Sequence, residues 1–233
     1  MSVIAQDKLR IYAASSMTNA VDEMVEIFEQ SHRVKVTTVY GGTSSLARQV
    51  EQGAPVDVFI AANKKWMNYL VSKNVVLGDN VTNIATNELV VVSTSKLTLD
   101  VNSASSWLDV LKGQRIAIGQ PNAVPAGIYA QESLESLNVW NDLKGHLAPT
   151  KNVRIALALV ERNETPIGIV YKTDAALTDR VQVVARLPRA SHQAIVYPIA
   201  AMNTHSATTQ FIQFVRSSEG QAILGKYGFN QGL

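Results

Sequence analysis

The feature that most constrains this chain is its alternation of short β-rich runs with helical ones. Residues 9–13 read as a buried strand, and Val21, Met24, Val25 and Phe28 then fall on one helical face at the i, i+3, i+4, i+7 spacing. Residues 34–40 form the next strand, Gly41-Gly42-Thr43 break it, and Leu46 and Val50 mark a short helix ending near Gly53. A third strand covers 56–61, with a helix through Trp66 and Leu70 behind it. Strand, helix and strand in this order require parallel pairing through right-handed crossovers, which makes the fold class α/β.

The apolar rhythm weakens over 81–87, and a second α/β series starts with the strand 89–93. It continues through a helix near 106–111, a strand at 116–119 and a helix from Ala126 that aligns Ala130, Leu134 and Leu137. A helix over 153–162, a strand at 167–171 and β-rich runs at 181–185 and 195–202 come next, and helices around 211–215 and 221–227 close the chain. For 233 residues this predicts two α/β lobes of roughly 100 residues each, with crossings near Ala85 and Ala200.

Composition excludes several classes of function. Lys and Arg number 21 against 19 acidic residues, eight of each sign falling before residue 86, so neither part carries the charge that a phosphate-backbone partner demands. Cysteine is absent, which removes disulfides, thiolate metal sites and a cysteine nucleophile. No apolar run approaches a membrane span. Val3 and Ala5 stand at the spacing of a signal-peptidase site, with Gln6-Asp7 as the mature start, although an ordinary cytosolic N-terminus fits these residues equally. His32, His146, His192 and His205 are scattered without metal-ligand spacing, and no GxSxG, GxGxxG or Walker motif occurs. Asp57, inside an apolar strand, reads as a structural acid for backbone groups. No nucleophile, base and orienting group assemble.

The chemistry points instead to the segments just past the strands. Ala13-Ala14-Ser15-Ser16, Gly41-Gly42-Thr43-Ser44-Ser45, the stretch from Pro121 to Gly127, and Thr150-Lys151-Asn152-Val153 each lead into a helix. Ser16 suits an N-cap or first-turn position, Pro125 a first helical position, and Asn152 an N-cap. In open α/β folds ligands bind outside the carboxyl ends of the strands, where helix starts present unpaired N–H groups and the positive end of the dipole. Such starts are usually plain caps; several converging would make an oxyanion site between the lobes.

At these same segments the chain resembles the periplasmic molybdate-binding proteins that deliver substrate to an ABC-type importer. The stretches that carry the resemblance are AASSMTNA (13–20), SSLARQVEQGAPVDVFIAANKKWM (44–67), AVPAGIYAQESL (123–134), NVRIALALVERNETPIGIVYKTDA (152–175) and GKYGF (225–229). The resemblance implies the two-lobe periplasmic binding-protein fold of type II, mixed sheets flanked by helices with a ligand cleft between lobes. The first lobe would comprise 1–85 plus 200–233 and the second 86–199. It also implies a molybdate site, shared with tungstate, made only of neutral donors. Ser16 and Thr43 would give hydroxyl and backbone N–H, Ala126 and Val153 backbone N–H groups, and Tyr171 its phenol. Thr43 departs from the family's serine-rich loop, which keeps Ser44 and Ser45 in reserve. Arg154, next to Val153, would support its loop or face solvent rather than clamp the anion.

The expected molecule is therefore a monomeric, non-enzymatic receptor in the periplasm. It would have a membrane permease as partner, no nucleic acid, no cofactor, and molybdenum present only as the oxyanion without direct protein–metal ligands. The signal peptide would be missing from this sequence, and the lack of Cys at its start speaks against a lipoprotein. A receptor for another tetrahedral oxyanion such as sulfate remains an alternative. So does an enzyme on the same two-lobe fold. A ligand-sensing regulator is disfavoured by the lack of a helix-turn-helix or basic patch.

Overall fold

The computed structural model describes residues 7–232, so the cleavage-site reading at Val3 and Ala5 and its mature start at Gln6 lie outside the described residues. The chain forms two compact units, one built from residues up to Thr86 and from Val196 onward, the other from Asn87–Ile195. The expected lobe bounds put the crossings at 85/86 and 199/200, the first one residue ahead of the observed division at Thr86/Asn87. The second falls earlier, at Ile195/Val196, because the apolar run there enters the first unit's sheet at once, Val196 pairing with Thr86.

In the first unit, β1 (Asp7–Ala14) leads through a 3-10 turn, Ser15–Met17, into α1 (Thr18–Ser31). Then come β2 (Val34–Gly41), α2 (Thr43–Glu51), β3 (Val58–Ile60), α3 (Lys64–Ser72) and β4 (Val81–Thr86). The second unit runs β5 (Leu89–Ser93), α4 (Ala104–Leu111), β6 (Ile116–Gly119), α5 (Pro125–Ser136) and α6 (Trp140–Leu143). It continues with β7 (Leu147–Thr150), α7 (Val153–Glu161), β8 (Ile167–Tyr171), α8 (Lys172–Ala175) and β9 (Gln182–Arg186). The chain then returns to the first unit as β10 (Val196–Ala201), α9 (Ser206–Arg216), α10 (Ser218–Lys226) and β11 (Asn230–Gln231).

The sheet orders are β11-β4-β10-β3-β1-β2 and β7-β6-β8-β5-β9. As the alternation requires, β1 pairs in parallel with β2 and β3, and β6 with β7 and β8. Apolar residues cover both faces of β5, where Leu89, Val90, Val91 and Val92 are wholly buried, which is why it reads as a continuous run rather than an alternation. In the first unit Phe28 of α1 meets the edge of Phe211 of α9 at 5.2 Å between ring centroids, so the C-terminal return closes the core begun by the N-terminal strand.

Three strands escape the periodicity, the two-residue β11 among them. β4 lies where the rhythm weakens, because its Thr82 and Asn83 are only half-buried and it depends on its neighbours β10 and β11. β7 is a four-residue edge strand holding Pro149, a residue that an edge tolerates and a central strand does not. Among the described residues no helix is long and apolar enough to cross a membrane.

Candidate functional site

The first unit brings two of the expected donors to one sheet edge. β1 and β2 run parallel in register from Asp7↔Val34 to Ala14↔Gly41, so both chains leave the sheet side by side at their carboxyl ends. Ser16 lies just past β1 and Thr43 just past β2. Ser16 sits in the 3-10 turn, 3% exposed, and does not cap α1: its Oγ lies 3.1 Å from the Tyr197 Oη of β10. Thr43 is the first residue of α2, 1% exposed, and its Oγ1 accepts the backbone N–H of Ala62 at 3.1 Å. That bond occupies one acceptor position of the hydroxyl, whose single proton can still be donated elsewhere. Of the reserve residues, Ser44 is buried, whereas Ser45 is exposed and takes a long 3.5 Å bond from Gln49.

The second unit gathers the other three in the same way. β6 pairs in parallel with β7 through Gly119↔Thr150 and with β8 through Ala117↔Gly168, and all three strands end toward the same edge. Pro125 occupies the start of α5 and has no N–H to lose, so Ala126 offers a first-turn N–H with no acceptor inside the helix. The start of α5 presses onto the end of β6: a Cβ on Gly127 would stand 2.0 Å from the Gly119 carbonyl oxygen. Asn152 caps α7 by accepting the Ile155 N–H at 3.0 Å, which leaves the Val153 N–H, at the first helical position, outside that cap. The Thr150 hydroxyl shares its single proton between the carbonyls of Ile118 and Asn152, at 3.2 and 2.8 Å, and holds this loop against β6. Tyr171 ends β8 at 1% exposure and doubles as the N-cap residue of α8.

Arg154 is engaged, as the supporting role expects, by a carboxylate that sequence reasoning missed. Its Nε donates to Asp174 Oδ1 at 2.5 Å, and the Asp174 side chain is wholly buried. Asp174 also accepts the backbone N–H of Tyr171. Burial pushes the Asp174 carboxyl up to about 6, against the opposing pull of the Arg154 charge and of these hydrogen bonds. Its sequence signal is faint: an acid three residues past a helix N-cap can reach back to the cap's N–H. Tyr197 gave no signal at all, since its contact with Ser16 spans 181 residues of chain.

Asp57 is a structural acid, accepting Arg10 N–H at 2.7 Å and the Asn203 amide at 2.8 Å. Among the described residues no group of three His, Cys, Asp or Glu side chains could hold a metal ion.

A family model described as bacterial extracellular solute-binding protein matches residues 9–230. The chain is 40% identical over 229 residues to the molybdate-binding protein ModA of Escherichia coli K12, covering 96% of this chain and 89% of that protein. It is similar to a solved structure described as the substrate-binding domain of a putative molybdenum ABC transporter from Clostridium difficile. That match has a TM-score of 0.70 at 32% identity and covers 96% of this chain and 98% of the other. A periplasmic molybdate-binding protein from Azotobacter vinelandii shares the fold at a TM-score of 0.79 and 19% identity, covering 95% and 98%.

Proposed function

Because the chain belongs to the family of bacterial extracellular solute-binding proteins, we propose that it captures molybdate, and tungstate as a near-isostere, in the periplasm and hands it to the membrane permease of an ABC importer. It works as a monomeric receptor and not as an enzyme. The observation that carries this reading is that neutral donors stand at the carboxyl ends of parallel strands in each unit. The oxyanion takes its donors from both: Ser16 and Thr43 from the first, and Ala126, Val153 and Tyr171 from the second. Arg154, the cation beside Val153, is tied to Asp174. Helix starts at Thr43, Ala126 and Val153 add the positive ends of three dipoles, each nominally about half a charge, toward a dianion.

Donor-only recognition favours fully deprotonated tetrahedral ions. Hydrogen phosphate brings an O–H that such a site pairs poorly, at a cost of about 1–3 kcal/mol when buried. Sulfate is a bare dianion, and its rejection rests on the size of the pocket.

Titration calorimetry and thermal melts with molybdate, tungstate, sulfate and phosphate in one buffer test the reading. Molybdate or tungstate at a hundredfold excess over Kd adds about 2.7 kcal/mol of stability, a Tm rise of roughly 5–11 °C for a chain of this size. Sulfate and phosphate at the same concentration leave Tm nearly where it was. Equal stabilisation by sulfate would transfer the protein to the sulfate-receptor class.

The departure at Thr43 has its own test. Thr43→Val keeps the shape but removes the hydroxyl, so molybdate affinity falls about tenfold, near 1.5 kcal/mol for a lost bond to a charged group. Ligand-free stability falls as well, by about 1 kcal/mol, because the Ala62 N–H loses its acceptor. Thr43→Ser restores both. Normal binding by Thr43→Val, with a loss in Ser44→Ala, would shift the role to the neighbouring hydroxyl.

A further inference from the structure

We propose that Asp174 is the positioning residue of this site: by holding the Tyr171 backbone and the Arg154 side chain together, it sets the spacing between the Tyr171 phenol and the Val153 N–H, and with it the discrimination of molybdate from the smaller sulfate. The inference rests on the molybdate reading and adds a residue that does not itself touch the ion.

Helix α8 is too short to hold its own place. It has four residues, Lys172–Ala175, and its first three are each tied to another element. The Lys172 N–H donates to the Glu88 carbonyl at 2.8 Å, the Thr173 hydroxyl accepts from the Asn87 amide at 2.9 Å, and Asp174 receives Arg154. Asn87 and Glu88 lead into β5, whereas Arg154 stands in the first turn of α7. The tie through Asp174 joins the two donor segments to each other.

The tie is also costly to keep. Asp174 is 0% exposed, its Oδ1 receives the Arg154 Nε, and its Oδ2 has no hydrogen-bond partner among the described residues. A neutral side chain of the same shape would avoid a buried charge, and replacing buried ion pairs by uncharged groups is often neutral or stabilising. What this half-satisfied carboxylate supplies against that cost is position. A pocket that separates two tetrahedral dianions by size needs donors that cannot move inward around the smaller ion. A loosened Tyr171 or Val153 could close around sulfate.

The test compares wild type, Asp174→Asn and Arg154→Met at pH 8, well above the carboxyl's value of about 6. Calorimetry reads the affinities for molybdate and for sulfate, and denaturant titration reads ligand-free stability. Asp174→Asn is expected to lower the molybdate-to-sulfate affinity ratio at least tenfold, through weaker molybdate binding together with retained or tighter sulfate binding, and Arg154→Met to lower it in the same direction. Stability alone does not move this ratio, since partial unfolding lowers both apparent affinities by one factor. Should Asp174→Asn fail to fold, the partly exposed Arg154→Met carries the test from the other end of the bond. An unchanged ratio in a folded variant, or equal losses for both ions, overturns the positioning role. Failure of wild type to bind molybdate would instead sink the functional reading on which it rests.

Discussion

Tyr171→Phe is expected to weaken molybdate binding by about 1.5–3 kcal/mol, a loss of 10- to 150-fold, with ligand-free stability nearly unchanged. The substitution keeps the ring, which is 1% exposed at the end of β8, and deletes only the phenolic donor. An interaction with a charged group is worth more than an ordinary hydrogen bond, which sets the size of the loss. Because the ion takes donors from both units in the proposed site, it favours the ligand-bound arrangement through contacts made only there. Small-angle scattering should therefore show wild type compacting on addition of molybdate, and Tyr171→Phe doing so only at higher ligand. Unchanged affinity would remove the phenol from the site, and a large fall in ligand-free stability would assign it to packing.

Gly127→Ala is expected to cost at least about 3 kcal/mol of stability. Alanine in place of glycine would ordinarily help a helix by up to ~1 kcal/mol. Here the new Cβ would meet the Gly119 carbonyl oxygen at 2.0 Å and the Gln120 carbonyl oxygen at 2.7 Å, both backbone atoms that cannot swing away. Overpacking of well-filled sites costs typically 1–3 kcal/mol, and a clash this deep belongs at or beyond the top of that range. Relief requires α5 to lift off the end of β6, carrying the Ala126 N–H with it, so molybdate affinity falls together with the denaturant midpoint. Gly225→Ala in α10 is the control: nothing lies within 4 Å of its new Cβ, and stability should hold or rise by up to ~1 kcal/mol. A Gly127→Ala variant as stable as wild type would show that α5 does not depend on this close approach.

The legible parts of the fold share one property: their signal is local. β6 and β8 have in the structure the bounds that the sequence suggests, because unbroken apolar runs flanked by turn residues mark buried strands without reference to anything distant. Pro125 at the start of α5 and the Asn152 cap of α7 are equally local, each depending on backbone groups within three residues. β4 and β7 were obscured because pairing partners, rather than their own periodicity, hold them in place. Ser16 shows the limit within a single residue. Its place after a strand and before a helix is legible, but its turn is 3-10 and its hydroxyl faces a tyrosine on a strand that arrives near the end of the chain.

By itself the sequence determined the α/β class, the parallel strands and the helix starts at their carboxyl ends, since hydrophobic period, prolines and capping side chains act over a few residues. It also carried the family resemblance, and with it a set of donor positions that periodicity alone does not single out. Only the tertiary structure decided what holds those donors: Ala62 on the Thr43 hydroxyl, Gly119 beneath the start of α5, and Asp174 between Tyr171 and Arg154. Each of these joins elements that meet only once the sheets have formed. The cost of burying Asp174 likewise exists only where the packed chain excludes water, which is why an acid that looks ordinary in sequence has its carboxyl pushed up to about 6 in the folded chain.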